Sequence, residues 1–296
     1  MTIASVSAGK AVGAEPRVVS RGERDVFLPT NSRGTGLLGP LRQKLRWPLG
    51  IYTTPLLLAA VWEVASRAGL LSEKYAPAPT TIFHAGVELW QIGELGPDLA
   101  ISLRRAALGL ALGLAIGIVA GIVGGLLKSG EYLFNGVVSI LNTIPLLAIL
   151  PLMIVWFGID ELTKVLLISF GAGVPMYLNL FSAIRGVDNR LIEMARSSGA
   201  GTARLIGRVL LPGALPGFLV GLRFSLAYSV LGLVAAETVN SNAGLGYMIT
   251  RAQTFLRTDQ VFVGLAIYAI IGLTADQAVR LLEKGLLAWR PSFEAS

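Results

Sequence analysis

Apolar residues run along this chain in long blocks separated by short polar stretches, with neither the two-residue alternation of half-buried strands nor the narrow stripe of a soluble amphipathic helix. Ala106 to Leu127 carries no charge, and Ser225 to Ala236 with its flanks is nearly as apolar. Blocks of about 20 residues, at ~1.5 Å rise per residue, suffice to cross a ~30 Å hydrocarbon core. The pattern predicts about six spans: Leu49 to Leu71, Leu99 to Leu127, Tyr132 to Phe157, Leu162 to Ile184, Pro212 to Ala236, and Val261 to about Leu282. A segment in lipid must satisfy its own backbone hydrogen bonds, so the predicted fold is an all-α polytopic membrane protein. A membrane β-barrel would instead need segments of ~10 residues with alternating polarity.

Four regions follow from this pattern. Residues 1–48 form a polar tail with an interfacial helix near 37–47, where leucines interleave with Arg42, Lys44 and Arg46. Residues 49–97 hold the first span and an outer loop, 98–283 the core with a polar loop at 186–211, and 284–296 the C-terminus.

Composition agrees: 53% of residues are hydrophobic and 15% charged, too apolar for a soluble domain of this length. Without cysteine there is no disulfide framework or thiolate metal site, and His84 stands alone, so no metal site is expected. A net charge of +7 would suggest a nucleic-acid partner in a soluble protein. Here the cations concentrate in the tail, in the 186–211 loop (Arg190, Arg196, Arg204, Arg208) and at the C-terminus (Arg280, Lys284, Arg290). That distribution assigns these segments, with both termini, to the cytoplasmic side of a lipid bilayer and leaves no role for nucleic acid.

Several spans carry marked features. Glu63 and Arg67 stand four apart and can pair on one helical face. Gly109, Gly113, Gly117, Gly121 and Gly125 form a small-residue stripe on which another helix can pack. Pro145 and Pro151 break the third span, and irregular backbone at that depth must face protein or a water-filled cavity.

The most informative segment lies between the fourth and fifth spans. Asp188 is placed to cap a short helix ending before Gly199 and Gly201, and Thr202 to cap a second, stopped by Pro212. In the second, Leu205, Ile206, Val209 and Leu210 share a face, while Arg204 and Arg208 point elsewhere. Periodicity alone leaves two readings, a rigid knob for a partner or an amphipathic linker on the headgroups.

The pattern Glu193-x-Ala195-x3-Gly199-x9-Val209-x-Leu211-Pro212, in that position, resembles the coupling loop of permeases of type I ATP-binding-cassette importers. The resemblance covers roughly residues 49–291. Ile144-Pro-Leu-Leu-Ala-Ile-Leu-Pro-Leu-Met-Ile-Val-Trp-Phe-Gly-Ile159 and Ala236-Glu-Thr-Val-Asn-Ser-Asn-Ala-Gly-Leu-Gly-Tyr-Met-Ile249 are similar to the sulfonate, taurine and nitrate branch. Thr258-Asp-Gln and Trp289-Arg-Pro are most similar to alkanesulfonate permeases. Met194 departs from the family's Glu-Ala-Ala.

The resemblance implies a non-catalytic translocation subunit of the bacterial inner membrane, binding no cofactor itself. It implies two copies of an ATPase subunit that carry ATP and Mg, a periplasmic or extracellular substrate-binding protein, and a second copy of this chain. Glu193, Ala195, Gly199, Thr202, Val209 and Pro212 are the candidate ATPase contacts. The chain has no G-x4-G-K-[ST] phosphate loop, since Lys128-Ser129 follows Leu127.

Asn142, Pro145, Pro151, Tyr228 and Ser229 are the candidate lining of the substrate pathway. Asn179, Arg223, Glu237, Asp276 and Gln277 are further polar residues within or at the ends of spans, and helix-to-helix bonding is the expectation for most. Glu237 would repel an anion, which points to a structural role at the outer end. Arg104, Arg105, Arg251 and Arg257 on the outer side either draw an anion or a binding protein to the mouth or are ordinary solvated charges. A stand-alone secondary transporter or channel is the alternative function, for which broken helices are equally suitable. A membrane enzyme would need a cluster of reactive groups that the scattered acids and His84 do not supply.

Overall fold

A computed structural model describes residues 53–287. The tail, the interfacial helix at 37–47, the start of the first span and Trp289-Arg-Pro lie outside the described residues. The described residues fold into helices and short turns: α1 (Thr53–Arg67), α2 (Pro79–Gln91), α3 (Leu95–Leu126), α4 (Lys128–Thr143), α5 (Leu146–Phe157), α6 (Glu161–Arg185), α7 (Asn189–Ser197), α8 (Thr202–Leu205), a π-helical turn at Ile206–Leu210, α9 (Leu211–Asn240), α10 (Leu245–Thr254) and α11 (Thr258–Leu286). Among the described residues, four helical segments are long and apolar enough to cross a membrane: α3, α6, Thr202–Val239 and α11. The α4–α5 pair makes a fifth if it counts as one span. The described part of the first predicted span is the 15 residues of α1, which end at Arg67 short of the expected Leu71.

The core is organised around α6. Leu167, Ile168, Ala172, Met176 and Tyr177 are buried almost completely, because α6 lies between two stripes of small residues. The predicted stripe on α3 forms one of them. A Cβ built on Gly113 would stand 2.4 Å from the Ser169 carbonyl oxygen, one on Gly117 2.6 Å from that of Gly173, and one on Gly125 2.9 Å from Ile184 Cβ. Contact positions rise together on both helices, so α3 and α6 run parallel, with their i, i+4 rows in register.

The second stripe, on α9, was not singled out from the sequence. A Cβ on Gly217 would meet Ala183 Cβ at 2.3 Å and one on Gly221 would meet Asn179 Cβ at 3.1 Å, while Ser225 Oγ donates to the Ala172 carbonyl at 2.7 Å. Here the positions rise on one helix as they fall on the other, so α9 runs antiparallel to α6. Backbone approach of this kind is what holds helices together in lipid, where apolar side chains gain little by leaving one another for acyl chains.

Several predicted boundaries move. The outer loop at 72–98 contains α2, which packs on α11 through Ala85 and Leu89. At ~1.5 Å per residue α3 is about 48 Å long, well beyond the hydrocarbon core. Lys128 to Glu131, between the second and third predicted spans, is already helix, and only Leu127 is extended. Of the two prolines expected to break the third span, Pro145 stands at the break, where α4 and α5 meet at 107°. Pro151 lies within α5; six residues in, it lacks an N–H that would otherwise bond back one turn.

Pro212 does not end the second loop helix. It directly follows the π-helical turn at Ile206–Leu210, where the Leu211 amide bonds to the Ile206 carbonyl and the usual one-turn ladder is already shifted, so the helix passes a missing N–H and runs on from Thr202 to Val239. The outer segment after Ala236 carries α10, seated on α9, α3 and α11.

Gly113→Ala is expected to lose about 1–3 kcal/mol, the usual cost of overpacking a core. Gly272→Ala, where nothing lies within 4 Å of the new methyl, should leave stability level or raised. Unfolding of the two purified variants in detergent measures the difference.

Candidate functional site: a helical elbow, a broken span and a buried charge cluster

The polar loop folds into an elbow that stands apart from the core. Asp188 accepts a hydrogen bond from the Arg190 amide at 2.9 Å and caps α7. No residue of α7 is buried: Glu193 is exposed, as are the apolar Leu191 and Met194. Gly199 ends α7 with φ +76°, a left-handed conformation that glycine adopts without strain. Its amide bonds to the Arg196 carbonyl and that of Ala200 to Ala195.

Thr202 is exposed and does not cap the second helix; Gly201 holds the capping position without a side-chain bond. The helix starts all the same, because its continuation into α9 supplies the hydrogen-bonded turns that a short helix lacks. Leu205 is buried, with Ile206, Val209 and Leu210 half-buried and Arg204 and Arg208 exposed, as the periodicity implied. The elbow therefore consists of an exposed nine-residue helix, a glycine hinge, and a second arm continuous with a membrane span. Among the other loop candidates Ala195 is half-buried and Pro212 exposed.

At the 107° break, Asn142 and Tyr228 come together. Both line a small cavity of about 60 Å³ with Ile144, Gly171, Val174 and Pro175. Pro145 forms the break itself, and Pro151 is exposed but away from that lining. Ser229 does not join them. It is buried at 2% exposure and donates to the Leu226 carbonyl of its own helix at 2.8 Å, because it continues the four-residue register of Gly217, Gly221 and Ser225 that faces α6. Asn179 likewise bonds within its helix, to the Pro175 carbonyl at 2.9 Å.

The end of the bundle opposite the elbow holds a cluster of buried charge. Glu237, 1% exposed near the end of α9, accepts hydrogen bonds from four groups. These are Arg105 Nη1 at 2.7 Å, Ser102 Oγ at 2.8 Å, the Gly246 amide at 2.9 Å and Tyr268 Oη at 3.0 Å. The Arg105 guanidinium also reaches Glu161 through Nε at 2.7 Å and the Ala243 carbonyl at 2.6 Å, and Lys164 pairs with Glu161 at 2.8 Å. Arg105 and Lys164 face Glu237 and the half-exposed Glu161, and Asp98 beside them accepts from the Gly244 amide, so the buried Glu237 is both paired and hydrogen-bonded, the condition under which buried charge is tolerated.

The Gly244-Leu-Gly246 turn is part of this cluster. A Cβ on Gly244 (φ +110°) would stand 2.5 Å from Glu237 Oε1, and one on Gly246 2.4 Å from Glu237 Cβ.

The four arginines expected at the outer mouth thus differ. Arg105 is 3% exposed and turned inward, Arg251 pairs with Glu94, Arg257 sits 3.4 Å from Asp259, and Arg104 is exposed. One register distinction separates the first two in the sequence: Arg105 precedes Gly109 by four residues and continues the buried stripe, whereas Arg104 does not. Glu161, Ser102 and Tyr268 were missed, since their partners are remote in sequence. Arg223 and Asp276 pair at 3.1 Å between α9 and α11, the helix-to-helix role expected of such residues.

Spans packed through glycine, a span broken at mid-course and an exposed helical knob define a membrane transport subunit. The chain belongs to the family of binding-protein-dependent transport system inner membrane components, whose pattern matches residues 113–287. It is 44% identical over 255 residues to the aliphatic sulfonates transport permease protein SsuC of Bacillus subtilis (strain 168), covering 86% of this chain and 92% of that one. It is 36% identical over 259 residues to the taurine transport system permease protein TauC of Escherichia coli (strain K12), covering 84% and 94%. Its fold is that of the crystal structure of an amino acid ABC transporter, with TM-score 0.53 at 20% identity over 63% of this chain and 91% of that chain. Family membership makes this a multi-pass membrane permease working with ATPase and binding-protein partners, and sets aside the stand-alone channel.

Two substitutions probe these geometries. Asp188→Ala is expected to cost about 1 kcal/mol locally, the usual worth of such a cap, seen as faster amide exchange in α7 with the global unfolding midpoint unchanged. Tyr268→Phe should lower global stability by about 1.5–3 kcal/mol, the range for a hydrogen bond to a charged group, measured by unfolding in detergent.

Proposed function

We propose that this chain forms the membrane path of an importer for an organosulfonate or a related small anion, driven by ATP hydrolysed on separate subunits. The elbow is the seat of the ATPase: its exposed helix α7 offers Leu191 and Met194 among arginines, and its second arm is continuous with a span. That continuity is the observation that carries the reading, because a contact made at the elbow acts directly on a transmembrane helix. A single elbow per chain suits a homodimer on a pair of ATPase subunits related by a two-fold axis. The cationic loop and termini face the cytoplasm, and the Arg105 end faces the binding protein outside.

The substrate class rests on the relatives named for aliphatic sulfonates and taurine. Asn142 and Tyr228, which share the cavity at the helix break, are the pathway residues best supported by geometry. Both can donate a hydrogen bond to a sulfonate oxygen without holding it by charge, so that binding stays weak enough for release.

Co-purification of an ATPase subunit with the tagged chain is the first expected result. In the reconstituted complex, Gly199→Val forces a β-branched residue into the left-handed region and should reduce substrate moved per ATP by about tenfold; a wild-type ratio removes the elbow from the coupling path. Calorimetry on the binding protein should show preference for alkanesulfonates over nitrate, with taurine as the intermediate case.

A further inference from the structure

We infer that Arg105 and Glu237 are positioning residues for transport, joining the outer end of the helix that starts at the elbow to its neighbours so that the outer ends of α3, α6, α10 and α11 move with it. The inference rests on the elbow being the ATPase contact. Its starting point is the unbroken helix from Thr202 to Val239, in which Pro212 is no stop. Along that helix Glu237 lies about 50 Å from Thr202 at ~1.5 Å per residue. The carboxylate at the far end is therefore connected to the elbow through one helix, which includes the π-helical turn at Ile206–Leu210 and passes Pro212 and Pro216 on its way.

At that far end Glu237 is held by groups from three other elements: Ser102 and Arg105 on α3, the Gly246 amide on α10 and Tyr268 on α11. Arg105 extends the connection to Glu161 at the start of α6. Nearer the elbow the same helix is tied again, by Arg223 to Asp276 at 3.1 Å and to Glu283 at 3.4 Å on α11. A helix held at two heights cannot slide or turn against its neighbours without breaking the part-exposed Arg223 pairs and stripping the buried Glu237 of its partners, the latter a costly step in low dielectric.

Displacement of α9 thus carries the block with it. The remaining freedom lies where the contact is apolar only: α5 contains no charged residue, meets α6 and the outer end of α9 through Leu150, Met153 and Ile154 against Leu167, Ala235 and Ala236, and joins α4 at the 107° break. Each domain cycle of the ATPase then moves the outer end relative to α5, which borders the Asn142–Tyr228 cavity through Leu146.

The test uses the complete complex in proteoliposomes, with ATPase and binding protein, and reads substrate moved per ATP hydrolysed. Glu237→Gln and Arg105→Met are expected to keep ATP hydrolysis within about twofold while the ratio falls about tenfold, the scale on which coupling networks respond. Leu233→Ala, a cavity at a fully buried position of the same helix, serves as the stability control and should keep the wild-type ratio at an equal loss of unfolding midpoint. A ratio unchanged in the charge variants, or lowered equally in Leu233→Ala, overturns the inference by reducing the cluster to a structural role.

If the charge variants do not assemble, Tyr268→Phe removes one donor alone and should still lower the ratio; no change there also overturns it. Failure of the elbow reading shows separately, as a wild-type ratio in Gly199→Val.

Discussion

The fold depends on the close approach of α6 to both α3 and α9. In a lipid solvent an apolar side chain gains little by moving from acyl chains onto a neighbouring helix, so packing and polar contacts must supply specificity. Glycine does this by removing the side chain: at Gly113 and Gly117 of α3 the partner's carbonyl oxygens occupy the space a Cβ would take. The same device recurs on α9 at Gly217 and Gly221. With α6 held on both sides, the remaining helices have a fixed surface to pack on, and the positions of Arg105, Ser225 and Ser229 follow from the registers of the two stripes.

The buried charge cluster is a consequence of the same registers. Arg105 extends the α3 stripe by one step and therefore enters the interface instead of the solvent. Once there it needs carboxylates, and the ends of two further elements supply Glu237 and Glu161. Gly244 and Gly246 are required because the backbone of that turn lies against this pair. Close packing and charge neutralisation thus occupy one continuous surface, with the packing stripe in the bilayer and the ion pairs at its end.

The elbow has a different physical character. Its first arm has no buried residue, only Ile192 and Ala195 half-covered, and is held locally by one carboxylate cap and a left-handed glycine. Its second arm is stabilised by being the beginning of a long helix. Such a combination, a local knob on a helical extension, is what the proposed coupling requires, since the knob itself need not be part of the core. The coupling proposed for Arg105 and Glu237 is the far-end counterpart of that arrangement.

Much of this was legible in the residues. The apolar blocks identified four spans and the bent fifth of the six expected, the five glycines of α3 identified a packing face, Asp188 and Gly199 marked the limits of α7, and Pro145 marked the break. These are local signals, set by backbone geometry or by a period that a single helix must obey. Pro212 misled because the π-helical turn before it, with hydrogen bonds already shifted off the one-turn ladder, lets the helix pass a residue that lacks an N–H. Ser229 misled because its face was set by a stripe shared with α6. The pairing of Arg105 with Glu237 and Glu161, and the meeting of Asn142 with Tyr228, were decided by tertiary structure alone, since charge and hydrogen bonding between remote segments depend on distances that only helix packing creates.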